Sequence, residues 1–97
     1  MPLSNAEIDE RLKRAAGWKR DGDEITREFG FPGFSEAMAF VNRVADEAQA
    51  ADHHPDITIR YNKVTLALST HSEGGLTDKD FAGARMADRV AEEGPQG

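Results

Sequence analysis

The sequence predicts an α+β fold, a two-layer sandwich of a four-stranded antiparallel sheet with three helices packed on one face. Two pairs of short segments alternate apolar and polar residues around turn residues, which is typical of β-hairpins. Between the hairpins, a long segment repeats its apolar residues at helical spacing, and shorter helical segments stand near each end. With 97 residues, the chain has room for one core and therefore for a single domain over 1–97.

The first two helices are predicted from capping residues and apolar stripes. Ser4 and Glu7 are spaced as a capping box, which predicts a helix over 5–16 that ends at Gly17. Ser35 is the predicted N-cap of the longest helix. The apolar residues of that helix recur at i, i+3, i+4 and i+7, so that one face can pack on the core.

A third helix is predicted near the end of the chain. Thr77 and Asp80 repeat the capping-box spacing, so the helix start alone explains an acidic residue at position 80. Phe81 and the alanines that follow it supply an apolar face. The last six residues, 92–97, are predicted to be a frayed and solvated tail.

The first predicted hairpin lies between the first two helices. Asp21-Gly22-Asp23 is a turn signal between strands at 18–20 and 24–31. The second strand alternates apolar with polar residues, which predicts one buried and one solvated face. Arg27 interrupts the apolar face of that strand.

The second predicted hairpin alternates apolar and polar residues over 57–61 and 64–69. Asn62-Lys63 is its predicted two-residue turn, because that register pairs every apolar residue of one strand with an apolar residue of the other. The same register, extended past the strands, places His54 opposite His71. The hairpin is therefore predicted to bring the histidines of the chain together.

Composition excludes several classes of function. The chain has 12 basic and 18 acidic residues, a net charge of −6, and no basic run, which argues against direct binding of nucleic acid or an anionic membrane. The absence of cysteine excludes disulfides, thiolate metal sites and a cysteine nucleophile. The N-terminus lacks the apolar segment of a signal peptide, and no apolar run is long enough to span a bilayer, so we expect a cytoplasmic protein.

The three histidines, His53, His54 and His71, are the candidate reactive groups. Imidazole titrates near neutral pH and can therefore act as a general acid or base. Each histidine taken alone is also compatible with an ordinary surface or core residue. A zinc site including Asp52 or Asp80 is a weaker alternative, because adjacent histidines on an extended backbone point to opposite sides.

The spacing from Asp52-His53-His54-Pro55 to Tyr61, His71 and Asp80 resembles that of the pterin-4a-carbinolamine dehydratase family, also known as the dimerisation-cofactor family. The resemblance covers nearly the full chain, about residues 5–91. It implies dehydration of a 4a-hydroxytetrahydropterin, such as 4a-hydroxytetrahydrobiopterin, to the quinonoid dihydropterin, the recycling step after aromatic amino-acid hydroxylation. It implies no metal and no cofactor for this reaction.

The resemblance also implies roles for individual residues. His53 and His71 would transfer protons, and His54 would hold the pterin and assist. The other implied site residues are four that would line the site, Asp52, Ser69, Thr70 and Ser72, and two that would support it, Asp80 and Gln49. Gln49 stands where the family usually has an acidic or ionisable residue, and it can form hydrogen bonds but carries no charge.

Two further expectations concern partners. A chain this short is a candidate for stabilisation by oligomerisation, and we expect a homodimer or homotetramer. The alternative function is a non-catalytic binding or assembly protein, or a transcriptional dimerisation cofactor, on the same scaffold. Its predicted contact surface is the broad apolar side of the longest helix around Met38, Ala39 and Phe40.

Overall fold

The computed structural model describes residues 1–94. Its helices and strands, in chain order, are α1 (Asn5–Leu12), β1 (Lys19–Asp21), β2 (Glu24–Gly30), α2 (Phe34–Ala51), β3 (Asp56–Arg60), β4 (Lys63–Leu68) and α3 (Asp78–Glu93), with a 3₁₀ turn at His71–Glu73 between β4 and α3. All strand pairs are antiparallel and form one four-stranded sheet in the order β1-β2-β4-β3. The predicted α+β fold class is confirmed.

The core lies between the sheet and the helices. Its largest fully buried apolar side chains are Ile25, Val44, Val64, Leu66, Leu68, Leu76 and Val90, which come from β2, β4, α2, α3 and the loop before α3. Ile8 of α1 joins the same cluster. Phe40 is only 4% exposed, so it belongs to this core and contributes little to the surface expected around Met38 and Ala39.

The predicted register of the second hairpin is wrong by two residues. Ile57 pairs with Leu66 and Ile59 pairs with Val64, and the turn is formed by Tyr61 and Asn62. Asn62 explains the shift, because its side-chain Nδ2 donates to the Phe31 carbonyl at 2.9 Å and its own carbonyl accepts from the Phe31 amide at 2.9 Å. These two bonds hold Asn62 against the end of β2.

The helix starts are only partly as predicted. Both capping boxes, at Ser4 and at Thr77, are confirmed. The N-cap of α2 is Gly33, with no side-chain hydrogen bond, so the expectation that Ser35 caps this helix is wrong. Ser35 instead lies inside the first turn of α2.

The helix ends also differ from the predictions. α1 ends at Leu12, four residues early, and the chain continues in tighter turns such as the 3.1 Å bond from the Ala15 amide to the Leu12 carbonyl. α3 continues through Glu93, so residues 92 and 93 are helical and not part of a tail. The rest of the predicted tail, beyond residue 94, lies outside the described residues. Among residues 1–94, no helix combines the length and hydropathy that crossing a bilayer requires.

Candidate active site

The centre of the candidate site is the side chain of Asp80, which is fully buried in the first turn of α3. Its Oδ1 lies 2.7 Å from Nε2 of His53. Its Oδ2 accepts a hydrogen bond from the Thr70 hydroxyl at 2.8 Å and one from the Thr77 amide at 3.0 Å. Asp80 is therefore both the helix-capping residue predicted from the sequence and a direct partner of a candidate catalytic histidine.

The hydrogen bonds around Asp80 have a defined direction. Since the Thr70 hydroxyl donates to the carboxylate, the Thr77 hydroxyl must donate to Thr70 Oγ1, 2.9 Å away. Thr77 Oγ1 in turn accepts from the Lys79 amide at 3.2 Å. Because a carboxylate only accepts hydrogen bonds, Nε2 of His53 donates its hydrogen to Asp80. Nδ1 of this ring is then available for proton transfer.

The end of α2 places His53 beside this carboxylate. Asp52 adopts the left-handed conformation, with φ 52° and ψ 40°. The Asp52 amide donates to the Gln49 carbonyl at 3.2 Å and the His53 amide donates to the Ala48 carbonyl at 3.1 Å, which is a Schellman motif. Asp52 thus contributes its backbone to the site, while its side chain is exposed. Its predicted role in lining the site stays a prediction.

His54 is exposed and has a different partner from His53. Its Nε2 lies 2.8 Å from Oε1 of Gln49, in the last turn of α2. The contact gives Gln49 a place in the site, which the sequence suggested only through its spacing. The two adjacent histidines therefore bind two different side chains, a buried carboxylate and an exposed amide.

His71 lies at the other end of the site, in the 3₁₀ turn after β4. Its Nε2 is 2.9 Å from the Ser69 hydroxyl, and both His71 and Ser72 are exposed. In the observed register, extension of the β3–β4 ladder places His54 opposite Ser69, not opposite His71. Among residues 1–94, no hydrogen bond joins His71 to His53 or His54. Thr70, the residue after Ser69, joins this segment to Asp80.

A cleft of about 270 Å³ opens beside His53, between α2 and α3. Its lining residues are Glu47, Ala48, Ala51, His53, Lys79, Ala82, Gly83, Met86 and Arg89. Sequence reasoning did not identify Lys79, Met86 or Arg89, although helical spacing on α3 places Ala82, Met86 and Arg89 on one side. His54 and His71 do not line this cleft.

A larger cavity, of about 400 Å³, lies at the opposite end of the α2–α3 pair. Phe31, Ala39, Phe40 and Val90 are among its lining residues, and no histidine is. Because acid–base chemistry needs titratable groups, we place the candidate site at the three histidines, beside the smaller cleft that His53 lines, and not at the larger cavity.

Ion pairs surround the candidate site on α3. Arg89 binds Glu47 across the cleft at 3.0 Å, and Lys79 binds Glu73 at 3.3 Å. Arg11 of α1 donates to Asp78 at 2.6 Å, and this hydrogen bond lowers the pKa of the Asp78 carboxyl below its ordinary value. Among residues 1–94, no three histidine, aspartate or glutamate side chains converge as metal ligands would.

A comparison with known protein families finds a match that covers nearly the whole chain. The family model described as Pterin 4 alpha carbinolamine dehydratase matches residues 1–90. A relative from Roseiflexus sp. (strain RS-1), provisionally named a pterin-4-alpha-carbinolamine dehydratase, is 56% identical over 88 residues, which are 91% of this chain and 95% of the relative. A relative of the same provisional name from Thermomicrobium roseum is 53% identical over 89 residues, 92% of this chain and 96% of the relative.

Two solved structures are similar to the fold. The crystal structure of a transcriptional coactivator/pterin dehydratase from Brucella melitensis matches with a TM-score of 0.90 and 38% identity, over 94% of this chain and 99% of that one. A pterin dehydratase-like protein identified as a RuBisCO assembly factor in the alpha-carboxysome matches with a TM-score of 0.63 over 76% of this chain and 86% of that one. At 20% identity, the second likeness concerns the fold alone.

Proposed function

This chain belongs to the pterin 4 alpha carbinolamine dehydratase family, and on that premise we propose that it dehydrates a 4a-hydroxytetrahydropterin to the quinonoid dihydropterin. The physiological setting that we propose is the regeneration of tetrahydrobiopterin after aromatic amino-acid hydroxylation, in the cytoplasm. The observation that carries the proposal is the pairing of His53 with the buried carboxylate of Asp80 at 2.7 Å.

The reaction requires two proton transfers and no external oxidant or reductant. The C4a–O bond breaks and the oxygen takes a proton and leaves as water. The neighbouring ring nitrogen gives its proton to a base, and its electron pair forms the new C=N bond. Two imidazoles suffice for these steps, because each can donate or accept a proton near neutral pH.

We assign the proton transfers to His53 and His71. Asp80 orients the His53 ring and stabilises the imidazolium whenever Nδ1 holds a proton. Ser69 orients His71 through the 2.9 Å contact with Nε2. His54 holds the pterin, and Asp52 and Ser72 complete the surroundings of the substrate. Thr70, which is buried, supports Asp80 from behind. No step in this scheme uses a metal or a cofactor.

A direct assay of carbinolamine dehydration tests this function. We expect the wild-type protein to accelerate the reaction over buffer, and His53→Ala and His71→Ala each to lower kcat by about 10² to 10⁴-fold. Circular dichroism must show that both variants stay folded. Asn42→Ala, on the exposed side of α2, is the matched control and should keep full activity. Failure of the wild-type protein to exceed the buffer rate would remove the enzymatic proposal.

A binding or assembly function is the second candidate. The observation that favours it is the 400 Å³ cavity lined by Phe31, Phe40 and Val90, away from the histidines. If a partner protein binds there, Ala39→Glu in the cavity should abolish a stoichiometric complex, whereas His53→Ala should retain it. A complex that ignores the cavity variant would argue against this surface.

We further propose that the protein forms a homodimer or homotetramer. β3 is an edge strand, and Ile59 and Tyr61 at its end are 39% and 69% exposed. Exposed apolar side chains on an unpaired edge favour association. Light scattering after size-exclusion chromatography gives the mass directly, and a monomer would contradict this expectation.

A further inference from the structure

We propose that Gln49 is a positioning residue that holds the neutral His54 ring in the tautomer with its hydrogen on Nε2, so that Nδ1 of His54 accepts a hydrogen bond from an N–H group of the pterin. The identity of that donor rests on the proposed function. The tautomer of the ring does not, because it follows from the contact with Gln49.

The contact between Gln49 and His54 sets the tautomer. The atom of Gln49 that approaches the ring is Oε1, 2.8 Å from Nε2. An amide oxygen only accepts hydrogen bonds, so Nε2 must carry the hydrogen. A neutral imidazole has a single N–H group, so Nδ1 of His54 is then an acceptor. No protein group in residues 1–94 hydrogen-bonds this Nδ1.

The adjacent His53 has a charged partner, because Oδ1 of Asp80 lies 2.7 Å from its ring. A carboxylate in contact with an imidazole in general favours the imidazolium form. Gln49 has the shape and reach of glutamate without the charge, so it orients His54 without favouring the imidazolium. An imidazolium has two N–H donors and no acceptor, and would therefore be unable to accept a bond from the pterin.

The other charged groups on segments near His54 are either exposed to solvent or bonded to other side chains. Titratable groups on the neighbouring segments are Asp46 and Asp52 on and after α2, His53, Asp56 on β3, and His71 after β4. His53 is hydrogen-bonded to Asp80 and His71 to Ser69. The three aspartates are exposed, and their fields are screened by solvent and salt. Gln49 is the one side chain in residues 1–94 that hydrogen-bonds His54.

Nitrogen NMR on the unliganded, ¹⁵N-labelled protein tests the tautomer, with His54→Gln used to assign the signal. We expect the neutral His54 ring to carry its hydrogen on Nε2. A ring that carries it on Nδ1 would mean that the Gln49 amide presents its nitrogen to His54, and would overturn the proposal.

Two amide-to-carboxylate variants on the exposed side of α2 test the charge. In Gln49→Glu, the carboxylate contacts the ring, so the titration midpoint of His54 should rise by roughly 0.5 to 1 pH unit. Asn42→Asp makes the same chemical change about 10 Å away along α2, beyond the screening distance, and should leave the midpoint unchanged. Equal shifts in both variants, or no shift in Gln49→Glu, would contradict the inference.

Kinetics test the role toward the pterin. Raising the midpoint of His54 depopulates the accepting form as the pH falls, so the acid limb of kcat/KM should move to higher pH in Gln49→Glu by the same amount as the NMR midpoint. Asn42→Asp should keep the wild-type profile. If the His54 midpoint moves in Gln49→Glu but the acid limb of kcat/KM does not, the acceptor role of His54 is refuted, while the effect of Gln49 on the ring stands. A wild-type protein without dehydratase activity would refute the proposed function and that role, while the NMR result still decides what Gln49 does to the ring.

Discussion

Two carboxylates on α3 have similar hydrogen bonding and different partners. Asp80, in the first turn, is fully buried and binds His53, Thr70 and the Thr77 amide. Asp88, two turns further on, is 26% exposed. It accepts from Trp18 Nε1 at 3.0 and 3.1 Å and from the Arg27 guanidinium at 2.7 Å.

The difference between these two centres is the ability of the partner to exchange a proton. The Arg27 guanidinium and the Trp18 indole are both only donors, so neither partner can act as a general base, and the Asp88 centre joins β2 and the residue before β1 to α3. The Arg27 guanidinium is further held 4.5 Å from the centre of the Phe29 ring. At Asp80, the partner is an imidazole, which can take up and release a proton near neutral pH. Position on a helix and the number of hydrogen bonds therefore do not separate a functional carboxylate from a structural one.

The largest expected effect is on catalysis at the Asp80 centre. Asp80→Asn keeps the shape of the side chain but replaces an acceptor by a donor, so His53 loses its orientation and its charge stabilisation. We expect kcat to fall by about 10 to 100-fold, measured by the dehydration assay. Asp88→Asn is the matched variant and should keep activity within about two-fold when the assay is run well below its Tm. Similar losses in both variants would remove the distinction between the centres.

The next effect is on stability at the Asp88 centre. Asp88→Asn leaves Arg27 partly buried without its counter-charge and removes one acceptor from Trp18. We expect the free energy of unfolding to fall by about 1–3 kcal/mol, measured by urea denaturation. An unchanged denaturation midpoint would show that solvent replaces the carboxylate without cost.

The smallest effect concerns the exposed pair between Arg11 and Asp78, which joins α1 to the start of α3. Because the Arg11 hydrogen bond lowers the pKa of Asp78, the pair stabilises the fold above the ordinary carboxyl value of 3.8 and this contribution is lost as the pH falls below it. We expect Asp78→Asn to lower the Tm by no more than a few degrees at pH 7. The difference from wild type should disappear in thermal scans at acidic pH. A difference that persists there would point to lost packing or capping.

The fold was largely predictable because apolar alternation and capping boxes are local signals. The register of the second hairpin was not, since a shift of two residues keeps every apolar side chain on the same face and cannot be detected from the pattern. The deciding contact, between Asn62 and Phe31, joins residues far apart in sequence. The N-cap of α2 was missed because Ser35 has a side chain that can cap a helix, whereas Gly33, the observed N-cap, has none.

The spacing of the histidines suggested the candidate site, but the contacts that each histidine makes could not be predicted. The capping-box pattern explained Asp80 without any histidine, and the folded chain identifies His53 as the histidine that this capping carboxylate contacts. The residues around Asp88 were visible in the sequence only as an arginine that interrupts an apolar strand. Its pairing with Asp88 spans 61 positions, which no local pattern can reveal.

The most direct test of the central claim is a double-mutant cycle on the dehydration rate with Asp80→Asn and His53→Ala. If Asp80 acts through His53, Asp80→Asn should lower the rate by about 10 to 100-fold in the wild-type background and by less than about two-fold when His53 is already alanine. An equal loss in both backgrounds would show that Asp80 acts independently of His53 and would contradict the account.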